Sequence, residues 1–166
     1  IMVASGRAAQ DGVLFRDAEA IERLRTIDTL IVDKTGTVTQ GKPAFREAIG
    51  IDGHTLDEVL RLAASLDLGS EHPLADAIVT DARRRELKLS AATEFDSVTG
   101  LGVRGRVGGR PVAIGSKALM TEVGADAGRL ADAADRLRNE GATAMFVALD
   151  GRAIGMIAVA DPVKDT

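Results

Sequence analysis

The 166-residue chain contains no cysteine, so disulfide frameworks, thiolate nucleophiles and thiolate-ligated metal centres are excluded together. Tryptophan and tyrosine are also missing and phenylalanine occurs four times, so the core must be packed from aliphatic side chains. No long apolar run is present. Residues 142–149 and 153–160 are separated by Asp150, Gly151 and Arg152, and each falls far short of the roughly 20 residues that span a bilayer. An excess of positive charge is lacking too: 21 Lys and Arg against 25 Asp and Glu give a net charge of -4, the wrong sign for a phosphate-backbone binder, so nucleic acid is disfavoured as a partner. Residue 1 is not a methionine, and residues 1–7 do not read as a signal peptide, so the chain is expected to be a segment of a longer protein. No internal repeat or low-complexity tract is present.

What is there is well patterned. Ala18, Ile21 and Leu24 recur at helical spacing after Asp17, and the β-branched run 29–32 then predicts a buried strand that ends on Asp33. Thr55 and Glu58 have capping-box spacing ahead of Leu56, Val59, Leu60 and Ala63, which predicts a helix ending near Leu66. Pro73 suits the first position of a following helix through Leu74, Ala77, Ile78 and Ala82. From Glu94 to Gly115 the pattern turns β-like, with Gly108-Gly109 as a hairpin turn, and Asp150-Gly151 is a second and stronger one. Between them, Asp126 is placed to cap a helix that buries Leu130, Ala133, Ala134 and Leu137 and stops at Gly141. Helices and hairpins, not alternating βαβ units, fill residues 41–159. The fold class read for that region is therefore α+β, an antiparallel sheet flanked by helices.

The chemistry begins at Asp33-Lys34-Thr35-Gly36-Thr37-Val38-Thr39. A carboxylate at a strand end beside a Gly-containing turn can attack a phosphoryl group, while turn N–H groups and Lys34 steady its oxygens. In aspartyl-nucleophile phosphatases a second carboxylate two residues on acts as general acid and base. Here that place is Thr35, which cannot deprotonate water at neutral pH, so a phosphoaspartate should persist. The seven residues resemble the phosphorylation motif of P-type ATPases, and residues 6–14 and 17–22 resemble the segment that leaves the membrane in the heavy-metal branch, copper exporters above all. The resemblance implies that Asp33 accepts the γ-phosphate of ATP, with Mg²⁺ held by the Asp33 carboxylate and the Thr35 backbone carbonyl.

Ser70-Glu71-His72-Pro73-Leu74-Ala75 is similar to a second motif of the same branch. His72 precedes a helix that opens on Pro73, so its ring direction is fixed; the resemblance makes it the residue that orients adenine. The acid five residues earlier meets the adenine amino group in the family, where it is usually Glu; here it is the shorter Asp67. Gly100-Leu101-Gly102-Val103-Arg104-Gly105 is formally a GxGxxG, but Arg106-Val107-Gly108-Gly109 after it cannot open the helix that a dinucleotide fingerprint requires. Gly100 and Gly102 are read instead as letting backbone approach a flat ligand. Gly115-Ser116 stands where the family usually has Gly-Asn, replacing an amide contact by a hydroxyl. Asp161-Pro162-Val163-Lys164-Asp165 resembles the return into the phosphorylation domain. Arg83-Arg84-Arg85 reads as a solvated helix face, and Met120, Met145 and Met156 as core filler.

Taken as a whole, the resemblance implies a nucleotide-binding domain at 41–159 between phosphorylation-domain segments at 1–40 and 160–166. The expected nucleotide site comprises Asp67, Glu71, His72, Gly100, Gly102, Gly115 and Ser116, with Asp33 catalytic and Asp33 and Thr35 holding metal. The parent would be a copper-exporting pump, with the segment on the cytoplasmic face of a membrane. Its partners would be ATP and the parent's remaining phosphorylation, actuator and membrane domains. The segment itself is expected to be monomeric and to bind ATP without completing turnover. The alternatives are a haloacid-dehalogenase-like phosphatase, which Thr35 opposes, and a free-standing nucleotide-binding module.

Overall fold

The computed structural model describes residues 2–164, so Asp165 of the last motif lies outside the described residues. The chain divides into two units, Ile1–Asp33 and Lys34–Thr166.

The first unit carries α1 (Met2–Gln10) and α2 (Ala18–Leu24). Asp17 caps α2 as its spacing predicts, its carboxylate accepting the Ala20 N–H at 2.7 Å. The buried strand expected at 29–32 is not formed: Leu30 is 68% and Ile31 93% exposed, and no strand is assigned there. A β-branched run becomes a strand only when a neighbour takes its backbone hydrogen bonds and a layer covers its side chains. Among the described residues nothing pairs with 29–32.

In the second unit follow β1 (Ala44–Gly50), α3 (Leu56–Asp67), α4 (Pro73–Arg84), β2 (Thr93–Val98), β3 (Gly102–Val107), β4 (Arg110–Gly115), α5 (Lys117–Glu122), α6 (Ala131–Asn139), β5 (Thr143–Leu149) and β6 (Arg152–Ala160). The strands form one antiparallel sheet in the order β1-β6-β5-β4-β3-β2. Strand alternation divides the core into two layers. Val112, Ile114, Val147 and Leu149 pack with Val59, Leu60 and Ile78 of α3 and α4. Ala113, Phe146 and Ala148 pack on the other face with Leu119, Met120 and Leu137 of α5 and α6. The α+β class is thereby observed, with helices on both faces.

Local signals account for most of the boundaries. The Thr55 side chain accepts the Glu58 N–H at 3.2 Å. Only half of the capping box is used, because the Glu58 carboxylate turns to His54 Nδ1 at 2.9 Å. Both hairpin turns have positive φ at their two central residues, 58° and 78° at Gly108-Gly109 and 49° and 73° at Asp150-Gly151, the geometry whose twist matches the strands they join. Asp126 does not cap α6; it accepts the Gly128 N–H at 2.8 Å ahead of a single 3₁₀ turn at 128–130. α5 and β1 are elements that the sequence pattern does not announce.

The motif loop and the returning chain are clasped together. The Asp161 carboxylate accepts Thr39 Oγ1 at 2.5 Å and the N–H groups of Gly41 and Lys42, each at 3.1 Å. Lys164 Nζ donates to the Gly36 carbonyl at 2.6 Å. Thr39 is only 1% exposed although its neighbours are open to solvent, so Asp161 acts as a structural tie within this unit.

Candidate functional site

A cavity of about 400 Å³ lies where the C-terminal end of α3 and the first turn of α4 meet β3, β4 and β5. Asp67, His72, Gly100, Gly102, Gly115 and Ser116 all line it. Glu71 does not; it is exposed on the loop between the helices. Two other depressions contain ion pairs of their own. One, of about 300 Å³, holds the Arg104–Asp96 and Arg106–Glu94 pairs, and one of about 620 Å³ between β1 and α4 holds Asp81 with Arg84.

His72 is the N-cap of α4. Its Nδ1 accepts the Leu74 N–H at 3.1 Å, which requires Nδ1 to be unprotonated and leaves the proton of a neutral ring on Nε2, facing away from the helix. The ring is thus held at the cavity rim as a donor. Its capping role was not foreseen, because a histidine is an unusual cap residue.

Asp67 closes α3 and is only 6% exposed. No hydrogen bond to its carboxyl oxygens is formed among the described residues, and these oxygens keep some contact with solvent through the cavity. Burial pushes this carboxyl up to about 7 from the usual 3.8, because the apolar surroundings disfavour the charged form.

The glycines serve different purposes. Gly102 and Gly115 face each other across β3 and β4, and a Cβ on Gly102 would lie 2.2 Å from the Ile114 carbonyl oxygen, one on Gly115 2.1 Å from that of Leu101. Both are therefore required by strand packing, a duty that Gly102 carries in addition to lining the cavity. Gly100 has φ 73° with open space where a Cβ would stand, so its conformation, not crowding, favours glycine. Ser116 caps α5, its Oγ accepting the Leu119 N–H at 3.4 Å, and presents the same hydroxyl region to the cavity.

Sequence reasoning missed the walls. Leu74, Leu101, Val103, Ile114 and Met145 make them apolar, and Thr143 and Ser97 add hydroxyls. Met145, read as filler, is half-buried on the cavity wall, whereas Met120 and Met156 are buried in the core as expected. Strand alternation pairs Thr143 with Met145 on one side of β5, but only the sheet order brings β5 beside β4.

Asp33 ends the first unit and is exposed; Lys34 and Thr35 open the second. No cluster of three or more His, Asp or Glu residues suited to a metal is found among the described residues. The Asp33 carboxylate and the Thr35 carbonyl are hard oxygen donors of the type that Mg²⁺ prefers, and this ion takes its remaining ligands from water and phosphate. The donor chemistry fits. No described helix is long and apolar enough to cross a membrane.

Residues 27–166 match the haloacid dehalogenase-like hydrolase family. Over its full length the chain is 48% identical to a copper-transporting P-type ATPase of Rhizobium leguminosarum bv. viciae, of which it covers 20%. The crystal structure of a zinc-transporting PIB-type ATPase in the E2.Pi state superposes with a TM-score of 0.73 at 31% identity, over 99% of this chain and 26% of that one. The N-domain of HMA6, a copper-transporting P-type ATPase, superposes with a TM-score of 0.61 at 26% identity, over 71% of this chain and 98% of that domain. The family match covers most of the sequence, and the chain belongs to the haloacid dehalogenase-like hydrolase family. Within that family its relatives are the heavy-metal P-type ATPases, and it spans about a fifth of the length of the curated ones it matches.

Proposed function

We propose that this chain is the ATP-binding segment of a heavy-metal exporting P-type ATPase, with copper as the exported ion, and that the 400 Å³ cavity receives the adenine base. The observation that carries this reading is the convergence of Asp67 and His72, of Gly100 and of Ser116, from three separate stretches, onto one apolar-walled cavity. Stacking walls with a few placed polar groups are what a planar heterocycle requires. In the whole pump Asp33 would take the γ-phosphoryl group of ATP with ADP as the leaving group, and the Asp33 carboxylate and Thr35 carbonyl would hold Mg²⁺, an ion that would supply charge neutralisation there. Thr35 then leaves the phosphoaspartate without a local base to hydrolyse it. Glu71, outside the cavity, contributes only through the loop that carries His72. The segment works as a monomer on the cytoplasmic face, joined to the parent's other domains.

His72→Asn tests the reading, because asparagine preserves the α4 cap while removing the ring. ATP binding measured by calorimetry is expected to weaken by about 1–2 kcal/mol, the worth of one ring or hydrogen-bonded contact. The melting temperature should stay close to that of the parent chain. Unchanged ATP affinity would remove His72 from the site.

A further inference from the structure

Asp67 is a carboxyl group that the protein leaves without a partner. It is 6% exposed, it lines the cavity, and it forms no ion pair among the described residues. Most charged groups on the neighbouring elements have partners elsewhere, and Lys117, which follows Ser116 at the head of α5, is exposed. On α3 itself Asp57 pairs with Arg85 and Glu58 with His54 in the first turn, and Arg61 lies between those residues and Asp67. On α4, His72 is held at the rim by Leu74, Asp76 lines the separate groove beside β1, and Asp81 is paired with Arg84 and Arg85. Glu71 is exposed on the intervening loop. Glu94 and Asp96 of β2 pair with Arg106 and Arg104 of β3 in the other depression, and Arg110 of β4 pairs with Asp150. Arg46 and Glu47 of β1 pair with residues near the end of α6, Arg152 of β6 lies beside His54 in another pocket, and β5 has no charged residue.

A carboxylate in such a place loses hydration and gains nothing in return, whereas the neutral acid is a donor beside an acceptor. The adenine edge offers the complement: an exocyclic N–H donor beside a ring nitrogen that accepts. Resting on the reading of this cavity as a base site, we propose that Asp67 meets adenine as the neutral acid, its carbonyl oxygen accepting the amine and its hydroxyl donating to the adjacent ring nitrogen. An ionised Asp67 could make only the first contact and would repel the ring-nitrogen lone pair. Nucleotide affinity is therefore coupled to the proton on Asp67, which links the load state of the site to pH in the neutral range.

Adenosine is the probe, since it carries no phosphate that titrates in this range, and the signal is the amide shifts of the cavity residues in the 166-residue chain. With the carboxyl at about 7, the competent fraction falls so that adenosine should bind roughly tenfold more weakly at pH 8 than at pH 6. Asp67→Asn, whose amide reproduces the donor and acceptor of the neutral acid, should bind about as the parent does at pH 6 and be flat across the same range. Affinity that is constant or rises with pH in the parent, with the shifts still in the cavity, overturns the proposal and leaves the base site standing. Loss of binding in Asp67→Asn at every pH overturns it in the same way, since it would mean that the charge is required. If neither adenosine nor ATP shifts the cavity residues, the base-site reading fails and the proposal falls with it.

Discussion

Replacing Asp67 by Asn is expected to stabilise the ligand-free chain at alkaline pH. The sign follows from proton linkage. The folded-state carboxyl titrates near 7 and the unfolded one near 3.8, so between those values the native state holds more protons, and stability falls as pH rises through the window. Below the lower value the carboxyl is neutral in both states and costs nothing by its charge. Above the upper one the full cost of burying an ionised group is present, at most about 4 kcal/mol for a shift of this size. Asparagine cannot ionise, so urea unfolding of parent and variant should diverge by up to about 3 kcal/mol between pH 5 and pH 8, with the variant the more stable. Parallel stability curves would mean that water or a neighbouring group solvates the carboxylate after all.

The other large effect is expected at Phe146. The layer beneath α5 and α6 is built mostly of alanines, and Phe146, 2% exposed, is the one aromatic side chain buried in it. Arg138 lies over its ring, 5.6 Å from the centroid. Phe146→Ala would leave a cavity that small neighbours fixed on strands cannot close, and a loss of about 3–5 kcal/mol in unfolding free energy is expected. Phe95→Ala provides the contrast, because Phe95 is 42% exposed and its truncation should change stability by no more than about 0.5 kcal/mol. Equal effects from the two substitutions would show that the α5–α6 layer is not part of the cooperative core.

What the sequence reveals here depends on the range of the interaction that decides each feature. The Thr55 cap, Pro73 at the head of α4 and the turns at Gly108-Gly109 and Asp150-Gly151 are settled within four residues, and each is legible. β1 is not, because its partner β6 lies more than a hundred residues away and a bulge between Phe45 and Glu47 breaks the alternation that would announce it. The run 29–32 illustrates the converse: β-branched composition is present, and the pairing that would make it a strand is not. In the cavity, His72 and Asp67 were legible through a motif and its spacing, while Met145 and Thr143 are joined to them only by sheet order. Ser116 and Gly102 show a further difficulty. A residue that caps a helix or admits a neighbouring strand can line the same cavity, and sequence alone does not separate these duties.

The proposed place of the ATP base is the cavity between the end of α3 and the β3–β5 face. A ¹⁵N-resolved titration of the whole chain with ATP and Mg²⁺ tests it residue by residue. The largest saturable shifts are expected at Gly100, Gly102, Gly115, Ser116 and Met145, with Asp76, Thr80 and Arg84 of the larger groove unmoved. Shifts concentrated in that groove, or saturable ATP binding that leaves the five cavity residues where they were, would contradict it.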